Sequence, residues 1–210
     1  LYLSLAAAFL CTLLALIINF SIRYKTNNLL KFLSSFLTVG YAVPGLILAI
    51  GVMRLLTFLD RNFTIEMFNL VLTGSLIGLM MAYIIKSYAL SSSTFDAGFE
   101  RISPRIDDVA RSLKTSGWNL LSKVHVPLLK TSFLTSMLLV VAEVIKELPA
   151  TLILRPFNFD TLAVSTYIYA AEERMYDAAA PSISIVLVGL IPIIILTRLI
   201  RTSRPANRDN

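Results

Sequence analysis

The chain has 210 residues, 56% hydrophobic and 15% charged, with a mean hydropathy of +0.75, an apolar excess larger than one soluble core requires. Its net charge of +6 comes from basic residues spread between apolar runs, not gathered on an aromatic-studded surface, which argues against nucleic-acid binding. The single cysteine, Cys11, excludes an intrachain disulfide and a cysteine zinc site and reads as a small apolar residue within a membrane segment.

A bilayer is the expected solvent, and five apolar runs approach the roughly 20 residues that a spanning helix needs. The first, residues 1–22, ends at Arg23, Lys25 and Asn27-Asn28. The second, 32–59, carries Pro44-Gly45 near its middle, where a missing amide predicts a kink or break. The third, 68–90, holds Gly74, Ser75, Gly78 and Ala82 at spacings suited to close helix contact. Residues 91–130 read as a long polar loop containing a short helix over 107–121, with Asp107 and Asp108 near its positive end. A fourth span covers 132–154, a polar loop runs to about Ala180, the fifth span is 183–200 and a polar tail is 201–210. Alternate crossings put fourteen of the 19 Lys and Arg on one side, Lys86 among them, which makes that side cytoplasmic. The opposite loops are mildly acidic, with Asp60, Glu66, Asp160, Glu172, Glu173 and Asp177.

Within the fourth span Glu143, Lys146 and Glu147 fall at helical spacing, which predicts one polar face pointing inward. A charge at the membrane centre costs about 2.5–3.5 kcal/mol on insertion scales. Pro149 cannot bond the carbonyl of Ile145, so a polar, deformable site is expected there. The carboxylates suit ion pairing or gating, with direct contact to a hard cation as the second reading. His125, the only histidine, reads as a solvated or docking residue, and Trp118 as an anchor at a partner or at the membrane surface. There is no phosphate-binding glycine loop.

Asp108-Val109-Ala110, then Lys114, then Val124-His125-Val126-Pro127 resemble the signature of binding-protein-dependent ABC importer permeases, Glu-Ala-Ala, three residues, Gly, nine residues, Ile-any-Leu-Pro. Asp108 stands for the Glu, Val109 for the first Ala and Lys114 for the Gly, with Gly117 three residues on. The block Lys146-Glu147-Leu148-Pro149-Ala150-Thr151 and the residues after it resemble ferric-iron importer permeases.

The resemblance implies an all-α, polytopic bundle of about five transmembrane helices with the type I ABC importer permease (MetI-like) fold, in the bacterial inner membrane. It implies a single permease domain over residues 1–200, followed by a cytoplasmic tail. Asp108, Val109, Ala110, Lys114, Gly117, Val124, Val126 and Pro127 would form the ATPase-coupling segment, and Glu143, Lys146, Glu147 and Pro149 a translocation path or gate. Expected partners are membrane lipid, a cytoplasmic ABC ATPase dimer that holds ATP and Mg, a periplasmic substrate-binding protein and a second permease half. No cofactor is expected on this chain, and no covalent chemistry. The expected cargo is ferric iron, with thiamine, a polyamine or a phosphonate as alternatives. An ion-coupled secondary transporter using the Glu143, Lys146 and Glu147 charges as a relay is the rival class. Since the sequence opens inside an apolar run without Met, a truncated start and a similar domain upstream are expected.

Overall fold

A computed structural model of the chain describes residues 1–25, 28–64 and 71–203, and every regular element among them is helical. Helix α1 (Tyr2–Tyr24) buries Ala7, Ala8, Cys11, Thr12, Ala15 and Asn19, small or short side chains that bring two other long helices close. These are α4 (Leu76–Glu100) and α7 (Lys130–Ile145), which pack on α1 and on each other.

The five apolar runs correspond to three unbroken helices and two broken ones. Tyr2–Tyr24, Leu76–Glu100 and Met175–Arg198 are each long and apolar enough to cross a membrane. The second run is divided at residues 40–44 into α2 (Asn28–Val39) and α3 (Gly45–Leu59), as Pro44 predicts, and α3 passes into a wide π turn at Asp60–Thr64. The fourth is divided into α7 and α8 (Pro149–Leu154). Gly78 fits the expected small-residue contact, since a Cβ there would meet Leu56 Cδ1 at 2.5 Å.

Several expectations are corrected. Residues 91–100 are not loop but the last turns of α4, with Ser91, Ser92, Phe95 and Phe99 buried. Of the hydroxyls that made this stretch look polar, Ser93 and Thr94 donate back to Leu90 O at 3.1 and 2.7 Å, and Ser91 and Ser92 are bonded across the bundle. Ser136 Oγ donates to Ser91 Oγ at 2.9 Å, Thr12 and Ser136 share a hydrogen bond of 3.1 Å, and Asn19 Nδ2 donates to Ser92 Oγ at 3.1 Å. Paired in this way, small polar residues continue a membrane helix at little cost.

The expected outer loop before residue 180 contains α9 (Leu162–Ala171), and the last helix, α10 (Met175–Ser203), begins eight residues before the expected 183. Asp60 is buried, its carboxylate accepting from Leu72 N and Thr73 N at 2.8 Å each, so it ties a loop and is not a solvated outer charge. The helix expected over 107–121 is two, α5 (Pro104–Ser112) and α6 (Gly117–Leu128), the latter with a π segment at Leu121–His125. The chain then bends by 76° into α7. Asn27, Glu66 and the tail beyond Ser203 lie outside the described residues.

Candidate functional site

Two places gather the candidate residues. The first is the segment from α5 to α6, beyond the Glu100 end of α4. Pro104 occupies the first turn of α5, where a missing amide is harmless, and Asp107 lies in that turn. The C-terminus closes with Thr115 N donating to Ala110 O and Lys114 N to Arg111 O, each at 2.9 Å, and Lys114 is left-handed at φ 59°. This paired closure usually places glycine at the left-handed residue. Lys114, standing where the motif has glycine, thus keeps the glycine conformation. Gly117, at φ 56°, makes a second such turn.

The segment divides into an inner and an outer face. Ala110 is buried, whereas Ile106, Val109 and Leu113 are 37, 59 and 73% exposed, one apolar stripe turned away from the bundle. Asp108, Lys114, Val126 and Pro127 are exposed, and Val124 and Gly117 are half-buried. Trp118 is exposed, consistent with either anchoring role.

His125 corrects the expectation of a solvated residue. It is wholly buried, its ring 5.3 Å from that of Phe20 and 5.5 Å from that of Phe99. Its Nε2 lies 2.8 Å from Asp107 Oδ1, close but without the alignment of a hydrogen bond. Burial pushes the imidazole pKa below its ordinary value. The Asp107 carboxylate opposes that shift, and the Arg23 guanidinium adds to it.

The second place is the break between α7 and α8. Here the expected single polar face is corrected, because α7 ends at Ile145 and the three charges diverge. Glu143 pairs with Lys146 at 3.0 Å, and Lys146 is 63% exposed. Glu147 turns inward, is 6% exposed, and forms its ion pair with Lys86 of α4. Glu147 Oε1 also accepts from Ala150 N at 3.2 Å, which caps α8 where Pro149 begins it. Beside the pair, Tyr83 and Thr151 share a hydrogen bond of 2.7 Å, and Thr151 Oγ1 donates to Glu147 O at 2.7 Å.

Lys86 is the residue that sequence reasoning misplaced. It lies about 15 Å into α4 from Leu76, inside a long helix and against Glu147, not in a solvated loop. The signal was a lone lysine in an apolar run, which within a membrane calls for an acidic partner on another span. Gly45 was missed in its proper role too. A Cβ there would meet Glu147 Oε1 at 2.7 Å and Lys86 Nζ at 3.3 Å, so the break between α2 and α3 leaves room for the ion pair between α4 and the break of α7 and α8.

On the opposite loops Arg155 pairs with Asp160, and Arg174 with Glu172 and Asp177 at 3.3 and 2.8 Å. Among the described residues no group of three or more His, Cys, Asp or Glu is placed to hold a metal ion.

The sequence model of the binding-protein-dependent transport system inner membrane component family matches residues 11–208. The chain belongs to this family. It is the permease subunit of an ABC importer, a membrane-embedded transport component of the inner membrane and not an enzyme. Over 200 residues this permease is 27% identical to PhnV of Salmonella typhimurium, described as a permease of a 2-aminoethylphosphonate transport system, covering 93% of this chain and 72% of that one. It is 24% identical over 159 residues to an Fe(3+)-transport system permease protein, FbpB 2, of Haemophilus influenzae, covering 75% of this chain and 29% of that one. Among solved structures, a bacterial alginate ABC transporter, crystallised with its alginate-pentasaccharide-bound periplasmic protein, matches 96% of the permease and 77% of its own chain. The TM-score is 0.69 and the identity 15%, a likeness of fold. That fold is the all-helical, MetI-like fold of importer permeases.

Proposed function

We propose that α5, the turn at Lys114 and the start of α6 are the coupling segment that docks on a cytoplasmic ABC ATPase dimer, which binds the ATP and Mg. The observation that carries this is a short helix seated by Ala110 that turns Ile106, Val109 and Leu113 outward beside the charged rim of Asp108 and Lys114. A small apolar patch with a charged border suits a groove on a partner. The paired loops around Asp160, Glu172 and Asp177 face a periplasmic binding protein in this reading. A second permease half, in the same polypeptide or a homologous one, completes the path.

The Lys86–Glu147 pair at the break then serves as a gate element. Both charges are spent on each other, so the pair fastens the α7–α8 break to the unbroken helix α4 and does not ligate cargo. Closure of the ATPase would favour one state of the bundle and the loaded binding protein another, which is all that coupling requires.

For cargo, ferric iron is supported by the Lys146-to-Thr151 block and by the similarity to the Haemophilus iron permease. The broader coverage by the Salmonella relatives favours a second reading, 2-aminoethylphosphonate. The test is uptake of labelled ferric iron and labelled 2-aminoethylphosphonate into vesicles holding the assembled importer, with and without ATP. Iron uptake should require ATP and fall about tenfold in Glu147→Gln, equivalent to ~1.4 kcal/mol of barrier. Uptake that persists without ATP contradicts the proposed coupling, and uptake of the phosphonate alone assigns the second cargo.

A further inference from the structure

Asp107 stands beside the motif acid Asp108 but faces the other way, into a cluster that joins four helices. Arg23, at the end of α1, places a donor from each of its three guanidinium nitrogens in that cluster. Its Nε donates to Asp107 Oδ2 at 2.8 Å, Nη1 to Phe99 O at 2.7 Å and Nη2 to Ile102 O at 2.9 Å. The two carbonyls lie at and just past the end of α4, where oxygens lack helical partners and a cation is favoured. The other Asp107 oxygen faces His125 of α6, itself enclosed by Phe20 and Phe99. One turn along α5, Arg111 Nη2 donates to Tyr24 O at 3.4 Å, and its guanidinium lies 5.4 Å from the centre of the Tyr24 ring.

Helix α5 is therefore fastened to consecutive residues of α1, Arg23 and Tyr24, at two points one turn apart. A single attachment allows a short helix to swivel, whereas two along its length fix its direction. We propose that Arg23, Asp107 and His125, with Arg111 and Tyr24, form a clip through which α5 and the first span move as one body, and that Asp107 is its central positioning residue. The proposal rests on the docking reading above. It assigns the two adjacent acids separate tasks, with Asp108 facing the partner and Asp107 passing the partner's movement into the bundle.

The test uses the full importer with its ATPase, with spin labels at Arg105→Cys on α5 and Leu14→Cys on α1 in a Cys11→Ser background. The distance between labels is measured without nucleotide and after trapping with ATP and vanadate. In the otherwise native protein it should change by no more than about 2 Å, the scale of small helix shifts. In Asp107→Asn and in Arg23→Gln it should change by about 5 Å, one helical turn, or broaden to that extent, and Asp107→Glu should restore the native response. A native distance that itself shifts by about a turn, or an Asp107→Asn distance as fixed as the native one, overturns the clip. Co-purification of the ATPase in the same preparations reports the docking separately. Its loss in the otherwise native labelled protein would count against the docking reading, whereas its retention with a mobile α5 would count against the clip alone.

Discussion

Lys114 holds a left-handed backbone, φ 59°, which costs an L-residue about 1–2 kcal/mol. The conformation is imposed by the closure of α5, whose two carbonyl bonds would be lost in any other geometry. The same closure recurs after α9, where Glu173 is left-handed at φ 61° and Arg174 N donates to Tyr169 O at 2.8 Å. Restoring glycine relieves the strain but gives the unfolded chain more freedom, worth about 0.5–1 kcal/mol in the other direction. Lys114→Gly should therefore stabilise the protein by up to about 1 kcal/mol, read as a higher melting temperature in detergent. Lys114→Val should lower it, because a β-branched side chain tolerates this conformation poorly. A Val variant as stable as the native protein would show that the turn relaxes elsewhere.

Among the elements, the two broken spans depend on each other. Helix α2 stops at Val39 and Pro44 immediately precedes α3, while α7 stops before Leu148-Pro149 and α8 restarts under the cap of Glu147. The breaks meet because Gly45 leaves room for the Glu147 carboxylate and the Lys86 ammonium. A buried pair adds little net stability over an apolar replacement, yet removing one partner strands a charge. Lys86→Met should cost about 3–5 kcal/mol, and Lys86→Met with Glu147→Leu should recover most of that loss. Thermal unfolding of the single and double variants in detergent measures both. Equal losses in the two would mean that the charges are not paired in the folded protein.

Viewed whole, the molecule exposes its apolar surface in two different ways. Along α10, Ile183, Val186, Leu187, Leu190 and Ile194 are exposed, as expected of a helix solvated by lipid or by another membrane subunit. At the far end of the bundle, Ile106, Val109 and Leu113 form a small stripe rimmed by charge, a pattern suited to a soluble partner. Asp108 sits on that rim and holds no bond to the bundle among those described, so Asp108→Lys should leave folding unchanged and release the ATPase in co-purification. A complex that survives this reversal, with transport intact, would remove Asp108 from the interface.

The sequence by itself determined the solvent, the helical class, the break at Pro44 and the family. Each rests on local chemistry that needs no partner: apolar run length, the proline that cannot donate, and the residue spacing around Asp108 and Pro127. It also pointed to residues 108–127, the segment proposed to couple, through the spacing of that segment's own residues. Only the tertiary structure decided which charges meet. Lys86 looked cytoplasmic, Glu147 looked like a neighbour of Lys146, and His125 looked solvated. The two members of the Lys86–Glu147 pair lie 61 residues apart, and Asp107, which faces His125, is tied to Arg23, 84 residues before it. A buried charge or hydroxyl is acceptable only through the group opposite it, and that pairing arises from helix packing, not from spacing along the chain.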